Sequence, residues 1–133
     1  MSTFRIFDIA GSAMSAQSLR LNTVASNLAN AESLSGSAES AYKARLPVFR
    51  PEDYGGELAG VSVTAITESL RPAQARHEPG HPLADAQGMV YAPNVNVVEE
   101  MVNMISASRS YQSSVEVLNT AKELAVRTLG VGR

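Results

Sequence analysis

Two histidines and two carboxylates lie close together near residue 80, and side chains of these types can bind a metal ion. The group comprises His77, Glu78, His81 and Asp85. Metal-binding histidine pairs usually share one helix face or a rigid hairpin. Pro79 and Pro82 exclude a helix at this point, and Pro79-Gly80 is typical of the centre of a type II turn. We therefore predict a turn between extended segments, with no metal ion and no cofactor. A small metal-dependent enzyme using His77 and His81 remains an alternative.

Glu99 and Glu100 are adjacent carboxylates, the residue type used in general acid–base catalysis. Adjacent residues on a helix point about 100° apart, so these two side chains do not converge on one substrate. In the first turn of a helix they complement the positive end of the helix dipole instead. The sequence also lacks a Gly-x-Ser-x-Gly elbow and a glycine-rich phosphate loop. We predict a protein that is not an enzyme, with no catalytic residue and no small-molecule substrate.

Two asparagines, Asn27 and Asn30, lie near the end of a predicted N-terminal helix. Their amides have two possible roles. They can satisfy carbonyl groups where the helix unwinds, or they can bond to a neighbouring subunit. The residues alone leave both roles open.

A helical stripe occupies the N-terminal segment, which we predict to be a helix over about residues 2–31, capped by Ser2 or Thr3. Large apolar residues recur every seven positions, with small residues between them. At Gly11 the small residue either permits a close helix–helix contact or is simply tolerated, at a cost of about 1 kcal/mol relative to alanine. The interface expected on this helix consists of Phe7, Gly11, Met14, Leu21, Ala25, Asn27, Leu28 and Asn30.

A second helix is predicted from Asn96 to about Leu129, with Asn96 and Glu99 forming a capping box. Gly130 and Gly132 are expected to supply a left-handed stop. The interface expected on this helix consists of Met101, Met104, Ile105, Ser108, Tyr111, Val115, Leu118 and Leu129. Val97 and Ala125 also belong to this pattern, in which successive residues are three or four positions apart. That spacing is typical of a coiled-coil seam.

The intervening residues, about 32–93, lose the helical period and contain frequent prolines and glycines. Residues 60–67 alternate apolar and polar side chains, which predicts a half-buried strand. Residues 41–49 and 89–91 are weaker strand predictions. The predicted fold is mainly α, with long N- and C-terminal helices packed as a coiled-coil-like pair around a small β-hairpin-rich insert. Residues 1–31 and 94–133 form the helical core, 32–93 the insert, and the whole is one structural unit.

Composition narrows the functional class. A chain of 133 residues is one ordinary domain at most. Its formal charge of −2 argues against nucleic-acid binding, and the absence of cysteine excludes disulfides and thiolate metal sites.

Asp8 interrupts the first apolar run, so we expect no cleaved signal peptide. No stretch approaches the roughly 20 apolar residues of a transmembrane helix. Such a chain is expected to be a part that is assembled with others.

Three blocks of sequence resemble the flagellar basal-body rod proteins. Residues 16–21 and 25–31 are similar to the asparagine-rich signature of bacterial axial proteins. Residues 78–88, with Tyr91 and 93–96, resemble the central block of the short rod subunits, and residues 100–103, 108–112 and 115–122 match the same family at the C-terminal end. Met89 departs from the family pattern, which tends to place an aromatic residue there.

The resemblance implies a structural subunit of the proximal rod in the periplasm. It implies export by the flagellar type III apparatus without signal cleavage. The partners implied are other rod proteins, further copies of this chain, and the junction between the membrane ring and the export gate. Helical co-assembly of these subunits would form a shaft that transmits torque. A helical adaptor that forms a closed bundle with one partner is the second alternative.

Overall fold

The computed structural model describes residues 3–54 and 59–132. Within these residues the chain forms two long helices with short strands between them, as the sequence predicts. In chain order the elements are α1 (Thr3–Ala29), β1 (Arg45–Asp53), β2 (Ala59–Glu68), β3 (Gln74–His77), β4 (Met89–Ala92) and α2 (Val97–Val131). The predicted cap at Ser2 lies outside the described residues.

The two helices pack side by side and run antiparallel. The end of α1 meets the start of α2, where Asn27 Nδ2 donates a hydrogen bond to Glu100 Oε2 over 3.1 Å. Residues 6–13 of α1 lie beside residues 110–117 of α2, and both segments line one shallow groove of about 450 Å³. The helices therefore meet along most of the length of α1.

Small side chains form the contact between the helices. Ala10 and Val24 of α1 and Ala107 and Ala121 of α2 are among the most buried residues of the chain. Alanine brings two helix axes close together, because little side-chain volume separates them. Neither Ala107 nor Ala121 belongs to the predicted seam, which was built from larger residues.

The predicted stripe of α1 is only partly buried in the chain. Phe7, Met14, Leu21 and Leu28 are half-buried, whereas Gly11 and Ala25 are exposed. The β1–β2 hairpin occupies a different side of α1, where Ser12 Oγ accepts a hydrogen bond from Val61 N over 3.1 Å. The stripe thus follows a side of α1 that neither α2 nor the hairpin fully covers.

The helix α2 is longer than α1 and extends past it. Its 35 residues span about 52 Å, against about 40 Å for the 27 residues of α1. Ala121 is the last buried residue of α2, and exposed apolar residues follow it. We call residues 122–132 the overhang. The helix ends at Gly132 with φ −87°, so the predicted left-handed stop is wrong.

The insert consists of two antiparallel two-stranded sheets. The strand predicted over 60–67 is confirmed as β2, and the weaker predictions overlap β1 and β4. Pro47 and Pro51 lie inside β1, where an edge strand tolerates the missing N–H groups. The strand β3 was not predicted, because its four residues are all exposed and lack apolar alternation.

The loop between β3 and β4 corrects the predicted type II turn. A type II turn requires a positive φ at Gly80, but among the described glycines only Gly88 has one, at 74°. His81 N donates to Glu78 O, and Ala84 N donates to His81 O, each over 3.0 Å. Two consecutive turns therefore span residues 78–84, and the positive φ occurs later in the loop, at Gly88.

Candidate assembly interface

Asn27 connects three elements at one end of the molecule. Its side chain is 1% exposed. The amide nitrogen donates to Arg45 O over 2.9 Å and to Glu100 Oε2 over 3.1 Å. The amide oxygen accepts from Tyr42 Oη over 3.0 Å and from Arg45 N over 2.9 Å. All four hydrogen-bonding positions of the carboxamide are used, so Asn27 fixes the end of α1 against the start of β1 and the first turn of α2.

Asn30 has a more local role. Its Nδ2 donates to Ser26 O over 2.8 Å, one turn back in the chain. This bond satisfies a carbonyl group where α1 unwinds, which is one of the two roles the sequence allowed. The bonds of Asn27 lie within the chain, and a bond from Asn30 to a neighbouring subunit stays a prediction.

A third asparagine, Asn94, fixes the connection between the insert and α2. It is buried, and its Oδ1 accepts from Ala44 N over 2.7 Å. Its Nδ2 donates to Arg71 O over 2.6 Å and to Ser69 O over 3.3 Å. The sequence analysis assigned Asn94 no role, because its partners lie 23 or more residues away along the chain.

Asn96 caps α2, and the two glutamates that follow it diverge. Asn96 Oδ1 accepts from Glu99 N over 3.1 Å. The Glu99 carboxylate lies 3.3 Å from Arg71 Nη1, whereas Glu100 is 6% exposed and pairs with Asn27. The two carboxylates therefore have separate structural partners and form no acid–base pair.

The histidine-containing loop is held by backbone contacts. His81 Nδ1 accepts from Leu83 N over 3.1 Å. Among the described residues, no group of three or more histidine, aspartate or glutamate side chains is arranged to hold a metal ion. None of the described helices is long and apolar enough to cross a membrane.

Asp85 closes the same loop onto β4. Its Oδ1 accepts from Met89 N over 2.8 Å and from Gln87 N over 2.9 Å, and its Oδ2 contacts Tyr91 Oη over 3.3 Å. The bond from Met89 N is the main cause that lowers the pKa of Asp85 below its ordinary value of 3.8. In return, the Asp85 charge is the main cause that raises the pKa of Tyr91 above 10.0.

We predict that acid loosens this loop. Because the pKa of Asp85 is lower in the folded chain than in the unfolded chain, its contribution to stability is present above pH 3.8 and is lost as pH falls through the folded pKa.

In an Asp85→Asn variant the pKa of Tyr91 should fall towards its ordinary value. An NMR titration of the tyrosine ring carbons measures this, with Glu78→Gln in the same loop as the control. An unchanged Tyr91 titration in Asp85→Asn would contradict the effect of the Asp85 charge on the pKa of Tyr91.

The predicted C-terminal interface residues fall into two sets. Half-buried residues of the predicted interface are Met104, Ser108, Tyr111, Val115 and Leu118. Met101, Ile105 and Leu129 are exposed. Sequence reasoning missed Val98 and Val102, which are also exposed. With Met101 and Ile105 they form one apolar patch on the first turns of α2, which we call the outer patch.

Known proteins match the chain at both ends and over its full length. Residues 7–32 match the family described as flagella basal body rod protein, and residues 86–130 match the C-terminal region of the flagellar basal body rod FlgEFG proteins. The flagellar basal-body rod protein FlgC of Salmonella typhimurium is 52% identical, and the alignment covers 100% of both chains. The FlgC proteins of Escherichia coli O6:H1 and Yersinia enterocolitica are 53% and 54% identical over the same full coverage. The chain belongs to the FlgC family of flagellar basal-body rod proteins.

Membership in the FlgC family confirms the resemblance found in the sequence. The chain is a structural subunit of the bacterial flagellar basal-body rod, and it is not an enzyme. It assembles with other rod components at the basal body.

Proposed function

We propose that this FlgC-family chain builds the proximal part of the rod in the periplasm, where it packs helically beside other rod proteins and further copies of itself. The rod joins the membrane ring and export gate at one end and transmits torque along its length. The observation that supports this proposal is the open apolar surface on both terminal helices. It comprises the stripe of α1 and the outer patch of α2.

The fold explains why these surfaces are available. The contact between α1 and α2 relies on alanines, so the larger residues Phe7, Met14, Leu21 and Leu28 are only half-buried. Burying such side chains on association contributes about 1.5–3 kcal/mol each when the burial is complete. We infer that neighbouring helices complete the burial with coiled-coil-like packing. Many such contacts along one axis would stiffen the shaft.

We further propose that the chain reaches the periplasm through the flagellar type III apparatus without losing an N-terminal peptide. The support is the sequence, in which Asp8 interrupts the first apolar run. Mass spectrometry of the subunit purified from basal bodies tests this step. Recovery of the encoded N-terminal peptide is expected, and a shortened N-terminus would refute it.

Photo-crosslinking in living cells tests the assembly proposal. A photoreactive residue at Leu21 samples the stripe, and one at Ile105 samples the outer patch. We expect adducts with other rod subunits and with copies of this chain, identified by mass spectrometry. The adducts should disappear in a strain without a functional export apparatus, which is the matched control. A single cytoplasmic partner of fixed stoichiometry would favour the closed-bundle adaptor and overturn the proposal.

A further inference from the structure

The β1–β2 hairpin is divided into two halves by a β-bulge. Residues 45–48 pair with residues 65–68, and residues 49–53 pair with residues 59–63. Thr64 of β2 therefore has no opposite residue in β1. An extra residue of this kind bends its strand and disrupts the ladder locally. We call residues 45–48 and 65–68 the root half of the hairpin, and residues 49–53 and 59–63 its distal half.

The root half is fixed where it joins the rest of the fold. Asn27 bonds both backbone groups of Arg45, each over 2.9 Å. Ala44 N donates to Asn94 Oδ1 over 2.7 Å, and Ala44 O accepts from Ser69 N over 2.7 Å. These four hydrogen bonds hold both strands of the root half at the end of α1.

Burial in the hairpin is concentrated in a few residues of the distal half. In β2, Gly60 is buried and residues 61–63 are half-buried, whereas residues 64–68 are exposed. Eight of the nine residues of β1 are exposed as well. A cleft of about 580 Å³ lies between α1 and the distal half, with Ser15 and Ser18 of α1 along one wall. The distal half is therefore held on α1 over a small area.

A contact with Ser12 of α1 supplies this attachment. Ser12 Oγ accepts from Val61 N over 3.1 Å and donates to Ile9 O over 2.8 Å. A Cβ built at Gly60 would lie 2.7 Å from Ser12 Oγ and would overlap the ring of Tyr54. Only glycine permits so close an approach. We call the group of Ser12, Tyr54, Gly60 and Val61 the Ser12 contact.

We propose that the Ser12 contact positions the distal half for assembly, and that without it the distal half bends away from α1 at the Thr64 bulge. This inference rests on the proposed function. A segment that is joined through a bulge and held over a small area opens more easily than the packed helices. A shaft that transmits torque needs subunit surfaces that keep their direction, and the exposed residues of β1 form one such surface.

Distances between spin labels test the bend in the purified chain. The chain has no cysteine, so labels attach only at introduced cysteines. Ser18→Cys with Ala59→Cys joins α1 to the far end of the distal half, and Ser18→Cys with Leu46→Cys joins α1 to the root half. All three positions are exposed. The distal half spans about 16 Å, so a bend of about 20° moves its far end by roughly 6 Å.

Two substitutions open the Ser12 contact. Gly60→Ala inserts a methyl group where the Tyr54 ring lies, and Ser12→Ala removes the acceptor of the backbone bond from β2. In both variants the label at Ala59 should gain a population about 5 Å or more farther from α1. The label at Leu46 should not move, because the root half keeps its hydrogen bonds.

Matched controls separate this contact from general effects of substitution. Gly80→Ala adds the same methyl group in the β3–β4 loop, where no atom of the described chain outside the neighbouring residues lies within 4 Å of the new Cβ. Ser15→Ala removes an exposed serine from the same helix. Neither control should change the distances. An unchanged distance to Ala59 in either Gly60→Ala or Ser12→Ala would overturn the proposal.

Recovery of the unlabelled subunit in basal bodies tests the consequence for assembly. Gly60→Ala should reduce incorporation at least about tenfold, whereas Gly80→Ala should incorporate normally. The helix content of both variants should equal that of the parent by circular dichroism, because neither substitution touches the contact between α1 and α2. If Gly60→Ala releases the distal half but incorporates normally, the proposal fails. The rod assignment is judged separately, by the crosslink from Leu21.

Discussion

Replacing Asn27 with alanine is expected to destabilise the free chain by about 3–4 kcal/mol. The substitution removes four hydrogen bonds from a side chain that is 1% exposed. It also leaves the buried Glu100 carboxylate without its amide partner. An unpaired buried polar group costs about 1–3 kcal/mol, and more when the group is charged. Since a domain of this size is stable by only about 5–15 kcal/mol, the loss is a large fraction of the total.

Urea unfolding followed by circular dichroism measures this loss. Asn30→Ala is the matched control, because it removes an asparagine from the same turn whose side chain makes a local hydrogen bond, from Nδ2 to Ser26 O. It should cost about 1 kcal/mol. Adding Glu100→Gln to Asn27→Ala should restore part of the stability, since it removes the unpaired charge. If Asn27→Ala and Asn30→Ala unfold at the same urea concentration, the connecting role of Asn27 is wrong.

The Asn27 cluster shows what could not be read from the sequence. The spacing of apolar residues along the chain was enough to predict a helix at each end. The types of two residues three positions apart were enough to predict the cap at Asn96. The partners of Asn27 lie 15, 18 and 73 residues away. No local pattern distinguishes this asparagine from one that ends a helix or contacts a neighbour. Only the packing of α1 on α2 brings Glu100 to it.

The buried alanines of the two helices were not predicted, for a related reason. A search for periodic apolar residues finds the large ones, because they carry most of the hydrophobic signal. Here the large residues of the α1 stripe are only half-buried, whereas alanines of both helices are buried. An alanine contributes little apolar area, but it allows the close approach that lets two helices pack. The strand β2 was predictable because its alternation is local, whereas the exposed strand β3 carries no such signal.

Gly11 provides the sharpest test of whether the stripe is an assembly surface. Among the described residues, no heavy atom outside its own helix backbone and chain neighbours lies within 4 Å of a Cβ built at Gly11. Gly11→Ala should therefore stabilise the free chain by about 1 kcal/mol, because glycine is that much less favourable inside a helix. Thermal unfolding should shift upward by a few degrees. If a neighbouring helix packs on the stripe, Gly11 serves a contact that the free chain does not make.

The series Gly11→Ala, Gly11→Ser and Gly11→Leu distinguishes the two interpretations of this glycine. If a neighbouring helix approaches closely, swimming and recovery of the subunit in basal bodies should decline as the side chain grows, and Gly11→Leu should abolish both. The free chain should meanwhile stay at least as stable as the parent, so misfolding does not explain the loss. If all three variants swim normally, Gly11 is only tolerated and this part of the stripe faces solvent in the rod. The stability of the free chain and the assembly of the rod must respond in opposite directions for the close-contact interpretation to hold.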